Sequence, residues 1–150
     1  KGLYTPEQGY DKQIAYQVQY ISKKFKINIE IAQEIVKEIS DVSSVTKIAP
    51  SLYYAIIHKE SSFNVNAIND SGRAKCLMQV HTSSGYNLLE NSISHCLITA
   101  SRILLDYYAK SGSIDAALSH YFCGSKIENN ACKAYSKKVR YLQVQYKGWI

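Results

Sequence analysis

Apolar residues return at helical spacing along most of the chain and lose that spacing in one central stretch. Ile14, Val18, Ile21 and Phe25 predict an amphipathic helix over about residues 11–26. Asn28 is placed to cap a second helix carrying Ile31, Ile35, Ile39 and Val42, with Ala32 and Val36 widening the stripe. The Ser/Thr-rich residues 40–46 are expected to end it. Pro50 suits the first turn of a third helix, where its missing N–H would have had no helical partner. In that helix Leu52, Ile56, Glu60 and Phe63 follow at steps of four, four and three, so the Glu60 carboxylate shares a face with the apolar stripe. An inward-facing glutamate needs a reason.

Residues 64–75 are rich in Asn, Asp, Ser and Gly and predict loop and turn with room for short strands. Cys76 to Val80 forms a brief apolar run. Helical spacing resumes with Cys96, Ala100, Ile103, Leu104 and Tyr107. Ser113 then caps a shorter helix through Ile114, Ala117, Leu118 and Tyr121, and Tyr135, Val139, Leu142 and Tyr146 mark a last one. With no repeat or low-complexity tract, the pattern gives a mainly α domain with a small β element near residues 64–80.

Composition fits one soluble domain of 150 residues, 46% apolar and 20% charged. No apolar run is long enough to span a membrane, and no basic-then-apolar signal segment opens the chain. The start at Lys1 suits a processed product or a piece of something longer. A net charge of +6 suits nucleic acid, an anionic membrane surface or an anionic polymer such as bacterial cell wall. Nucleic acid is not expected, because the basic residues are not interleaved with aromatics on one predicted face. The clusters Lys23, Lys24, Lys26 and Lys133, Lys137, Lys138, Arg140 read as solvated helix faces.

Four cysteines without a C-x-x-C pair argue against a zinc ribbon or a thioredoxin-like centre and favour an oxidising compartment. Cys123 and Cys132 bracket a short polar loop that a disulfide would staple, which would leave Cys76 for Cys96. Three pairings remain open, as do buried free thiols. The histidines His58, His81, His95 and His120 have no ligand spacing, so metal binding is not expected.

Glu60 falls in the predicted last turn of its helix, where the negative end of the macrodipole and an apolar flank both disfavour ionisation. A carboxylic acid held protonated near neutral pH can give its proton to a leaving oxygen, as glycosidic cleavage requires. The plain alternative is a part-buried glutamate accepting hydrogen bonds from loop amides.

The stretch Ala55-Ile56-Ile57-His58-Lys59-Glu60-Ser61-Ser62-Phe63-Asn64, followed by Cys76-Leu77-Met78-Gln79, resembles the lytic transglycosylase family of goose-type-lysozyme-like fold, with its E-S-x-F/W segment and then G-L-M-Q. Downstream, Ala117-Leu118-Ser119-His120-Tyr121-Phe122-Cys123-Gly124 is similar to A-L-x-x-Y-N-x-G, and Tyr135-Ser136-Lys137-Lys138-Val139 to Y-x-x-x-V. The resemblance spans about residues 29–146. It implies a single lysozyme-like catalytic domain over residues 1–150, with residues 1–28 as an N-terminal extension.

The resemblance further implies cleavage of the MurNAc–GlcNAc β-1,4 bond of peptidoglycan glycan strands without water, leaving 1,6-anhydro-MurNAc ends, with no metal or cofactor needed. Glu60 would be the single acid and base, Gln79 and Tyr121 would bind sugar, and Ser71 lies where family members often place a serine. His81, two residues past Gln79, is a further groove-lining candidate, with an exposed or packed imidazole as the plain alternative. Tyr121 has a core-packing alternative of the same kind. The setting implied is periplasmic or otherwise extracytoplasmic, in a secretion, pilus or conjugation machine or a phage particle.

Three positions depart from the family pattern. Cys76 replaces the first glycine of G-L-M-Q, so its side chain must be tolerated or turn away into a disulfide. Phe122 replaces the asparagine of Y-N-x-G. Asp70 adds a carboxylate ten residues after Glu60, which would permit a hydrolytic muramidase mechanism if it reached the cleaved bond. A catalytically silent wall-binding module is the third reading.

Overall fold

The computed structural model describes residues 6–86 and 92–149, with side chains from residue 12 onward. Six α-helices occur among them: α1 Pro6–Phe25, α2 Ile29–Thr46, α3 Pro50–Ser61, α4 Ile93–Ser111, α5 Ile114–Cys123 and α6 Asn130–Lys147. Short polar side chains start most of these helices. Asn28 accepts from the backbone N–H groups of Glu30 and Ile31, Ser92 from His95, Ser113 from Ala116 and Asn129 from Ala131. Helix α3 lacks such a cap and instead begins with Pro50, following Ala49.

Two boundaries differ from the apolar pattern. Helix α1 starts at Pro6 and not near residue 11, its first turns being polar. Helix α2 runs through the Ser/Thr stretch to Thr46 and stops at Lys47, whose φ is 66°. The hydroxyls there do not break the helix because they bond its own carbonyls and its exit. Thr46 Oγ1 donates to the Val42 carbonyl at 2.9 Å and Ser43 Oγ to the Ile48 carbonyl at 2.6 Å.

Helix α3 is the centre of the core. Leu52, Tyr53, Tyr54, Ala55, Ile56 and Ile57 are all buried, the mark of a helix enclosed on every side. Its polar groups are answered from neighbouring helices: the Tyr53 hydroxyl meets Ser101 of α4 at 2.6 Å, and the Tyr54 hydroxyl donates to Gln17 of α1 at 3.1 Å. Helix α1 lies before the recognised motifs and still buries Val18 and Ile21. Phe63 is fully buried although the helix has ended, because Ser62 and Phe63 both turn left-handed, with φ of 49° and 64°.

Past α3 the chain forms a three-stranded antiparallel sheet of two-residue strands, β1 Ile68–Asn69, β2 Ala74–Lys75 and β3 Val80–His81. Ile68 faces Lys75, and Ala74 faces His81. This is the small β element expected near residues 64–80. A 3-10 turn, Thr82–Ser84, follows it.

Disulfides join Cys76 to Cys96 and Cys123 to Cys132, leaving no free cysteine. The first explains the departure from glycine. Cys76 has φ of 73°, a backbone state natural to glycine, and its buried side chain turns into α4 to reach Cys96. Gly124 keeps the motif's glycine, at φ 80° and ψ −143°, a region closed to L side chains, where α5 stops.

Candidate active site

Glu60 lies in the last turn of α3, half-buried, near Tyr121 of α5 and in contact with Tyr135 of α6. The Tyr135 hydroxyl of α6 donates to Glu60 Oε2 at 2.6 Å, and this is the carboxyl's sole hydrogen bond among the described residues. Burial pushes the Glu60 pKa up to about 7, against the smaller opposing pull of the Tyr135 hydrogen bond and the Lys59 charge. The group is therefore divided between acid and carboxylate near neutral pH. Tyr135 is buried, and burial together with the Glu60 charge holds its phenol well above its usual range, so it stays a donor.

Removing that donor should be visible in a titration. Tyr135→Phe takes away a bond that favours the carboxylate, so the Glu60 pKa should move further upward, by about one pH unit. Carbon NMR of the labelled carboxyl checks this, and an unchanged or lowered value would show that the bond does not set it.

Tyr121 and Gln79 are engaged differently. The Tyr121 hydroxyl donates to the Met78 carbonyl at 2.6 Å, tying α5 to the Cys76–Gln79 segment, and Glu60 is near enough to help raise its phenol pKa after burial. Gln79 is buried with its amide engaged inside the loop. Its Nε2 donates to the Ala67 and Cys76 carbonyls at 3.0 and 2.8 Å, and its Oε1 accepts from Asn69 at 3.0 Å. Both amide hydrogens expected for sugars thus brace the sheet against the Cys76 turn. Gln79 itself has φ of 51°, so this bracing holds a turn that few residues adopt unaided.

Ser71 and His81 stand on the sheet side. Ser71 is exposed in the turn between β1 and β2, with φ of 56°. His81 Nδ1 accepts from the Ser83 backbone N–H at 3.1 Å, so Nε2 carries the proton and donates to Asp70 Oδ2 at 2.6 Å. Arg73 takes the other oxygen of Asp70 at 2.8 Å. Both carboxylate oxygens of Asp70 are therefore engaged, and the His81 and Arg73 hydrogen bonds hold its pKa below the usual range.

Three contributors were not singled out from the sequence. Tyr135 was legible only as a helix-stripe aromatic; its position at the head of the last motif was the available signal. Asn69 had no signal at all. Phe122, noted only as a departure, is half exposed and stacks on the Tyr135 ring at 4.6 Å and 5° between planes. The Cys123–Cys132 bridge holds the neighbouring residues of α5 and α6 that present this pair. No cluster of metal-ligating side chains occurs among the described residues.

Six helices with α3 buried at their core, and a short three-stranded sheet, define a lysozyme-like domain. The chain belongs to the transglycosylase SLT domain family, whose model matches residues 38–144. No curated protein and no solved structure matches it. Membership carries a peptidoglycan-degrading activity of the lytic transglycosylase type. No described helix is long and apolar enough to cross a membrane.

Proposed function

We propose that this protein cleaves the MurNAc–GlcNAc β-1,4 bond by intramolecular transfer, with Glu60 as the only acid and base. The observation that carries this reading is the lone, half-buried Glu60 carboxyl with a pKa of about 7. Protonated Glu60 gives its proton to the glycosidic oxygen as the bond from C1 of MurNAc breaks. The resulting carboxylate takes the proton of the same sugar's C6 hydroxyl, whose oxygen closes on C1. Atoms balance without water, and Glu60 returns to its protonated form. A pKa near the working pH suits a group that must both donate and accept. The acetamido group of MurNAc supports the positive charge at C1 in place of a second carboxylate.

In this reading Tyr135 orients Glu60 and tunes its proton. Tyr121 fixes the Met78 carbonyl and offers its ring edge to the sugar, while Gln79 and Asn69 shape the sheet wall. Ser71 and His81 line the outer part of the groove. Asp70 is exposed and paired with Arg73 and His81 on the sheet turn, so Glu60 is the carboxyl whose proton is held near neutral pH. The two disulfides and the wall substrate suit a periplasmic or other extracytoplasmic setting.

Mass spectrometry of digested wall tests the proposal. The expected products carry anhydro ends and are one water lighter than hydrolysed ones. Products with reducing ends alone would assign a muramidase, and no released fragments would leave only binding.

A further inference from the structure

A concavity lies on the opposite side of α6 from Tyr135. Residues 133, 137, 140, 141 and 144 recur at helical spacing there and face the start of α5 across a groove of about 630 Å³. Its apolar wall is Ile127, Tyr141 and Val144, the last two 60% and 67% exposed. Exposed apolar side chains gathered beside a concavity mark a contact surface more than scattered ones do. Lys133, Lys137 and Arg140 line the same groove, and Lys138 lies over the Tyr141 ring at 5.4 Å. Asp115 is the one acid among the lining residues and already pairs with Arg140 at 3.3 Å. The lining serines are satisfied within the protein: Ser119 donates to the Cys132 carbonyl and Ser136 to that of Asp115. What remains available is cationic and apolar.

We infer that this groove binds the acidic peptide stem of a wall strand. A stem combines carboxylates with methyl groups and an aliphatic diamino-acid arm, which matches cations above an apolar wall. The groove has the volume of a short-peptide or small-ligand site. Helices α5 and α6 carry Tyr121 and Tyr135 toward Glu60 and this groove on another face, so a stem held here would anchor the enzyme to the wall without entering the glycan site. The inference rests on peptidoglycan being the substrate and on no role for Glu60.

The test titrates the free stem tetrapeptide, L-Ala-γ-D-Glu-diaminopimelate-D-Ala, into the labelled protein and follows backbone NMR shifts. Shifts should gather at residues 127 and 133–144, and Lys133→Glu with Lys137→Glu should weaken binding about tenfold, the loss expected of reversed charges at a mostly exposed site. The same double variant should cut intact wall more slowly and cut glycan stripped of its stems at the wild-type rate. Absent shifts, shifts gathered elsewhere, or equal loss on both substrates would overturn the inference. So would binding of a synthetic acidic amphipathic helix in place of the tetrapeptide, which would assign the groove to a protein partner. Failure of the wild type to cut either substrate would count against the cleavage reading, while the titration would still decide the groove.

Discussion

Glu60→Gln should lower wall-cleaving turnover by about a hundred- to ten-thousand-fold, the range that a positioned acid and base supplies. The amide keeps the carboxyl's shape and still accepts from Tyr135, so the fold should persist, but it has no proton to transfer. The same substitution makes a second prediction possible from stability. The Glu60 pKa rises from 4.5 to about 7 on folding, so the native state binds the proton more tightly than the unfolded state. Below pH 4.5 both states are protonated and the shift costs nothing. As pH rises from 4.5 to about 7 the unfolded chain loses its proton first, and stability falls. Above pH 7 the cost is full, on the order of 3 kcal/mol before allowance for solvent reaching the half-buried group. Glu60→Gln should therefore gain stability over the wild type at pH 8 and lose that advantage at pH 4, as denaturant melts at the two pH values would read. An equal difference at both would mean that burial does not govern this proton. A variant that is inactive and better folded at alkaline pH is the joint signature of an acid kept for chemistry at a stability cost.

Breaking the Cys76–Cys96 bridge has the next largest expected effect. It closes a separation of 20 residues, and its loss in Cys76→Ser/Cys96→Ser should cost about 3 kcal/mol through the freed unfolded chain. For a chain of this length the thermal midpoint should drop by roughly 6–12 °C. A companion variant, Cys76→Gly/Cys96→Ala, also lacks the bridge but lets position 76 adopt its φ of 73° freely. It should recover about 1 kcal/mol of the loss, the usual left-handed penalty of an L residue. Equal midpoints for the two variants would separate the bridge from the backbone state and remove the explanation given for cysteine at a glycine position. Activity should fall further than stability in the serine variant, because the same turn carries the Met78 carbonyl that Tyr121 holds.

The helical part of the fold was legible in the sequence because the helices packed around α3 bury one stripe each and several helices begin with a recognisable residue, such as Asn28, Pro50 or Ser113. The start of α1 and the end of α2 were not legible. A polar first turn leaves no stripe, and Ser43 and Thr46 find partners only once Ile48 and the Val42 carbonyl are in place. The inward aim of Glu60 could be read from its neighbours at steps of four. Its partner Tyr135 could not, since a residue 75 positions away reaches it only through the packing of α6 on α3. The internal bonding of Gln79 was hidden for a similar reason: an amide shows its capacity in the sequence, but its occupants, Ala67, Cys76 and Asn69, are set by the tight turns between them.

The central claim is that one carboxyl moves a proton twice and water takes no part. Digestion of purified wall in heavy-oxygen water, with wild type and Glu60→Gln side by side, tests it most directly. The account predicts new MurNAc ends that carry no heavy oxygen in the wild-type digest and almost no new ends with the variant. One heavy oxygen at each new end, or undiminished cleavage by Glu60→Gln, would contradict it.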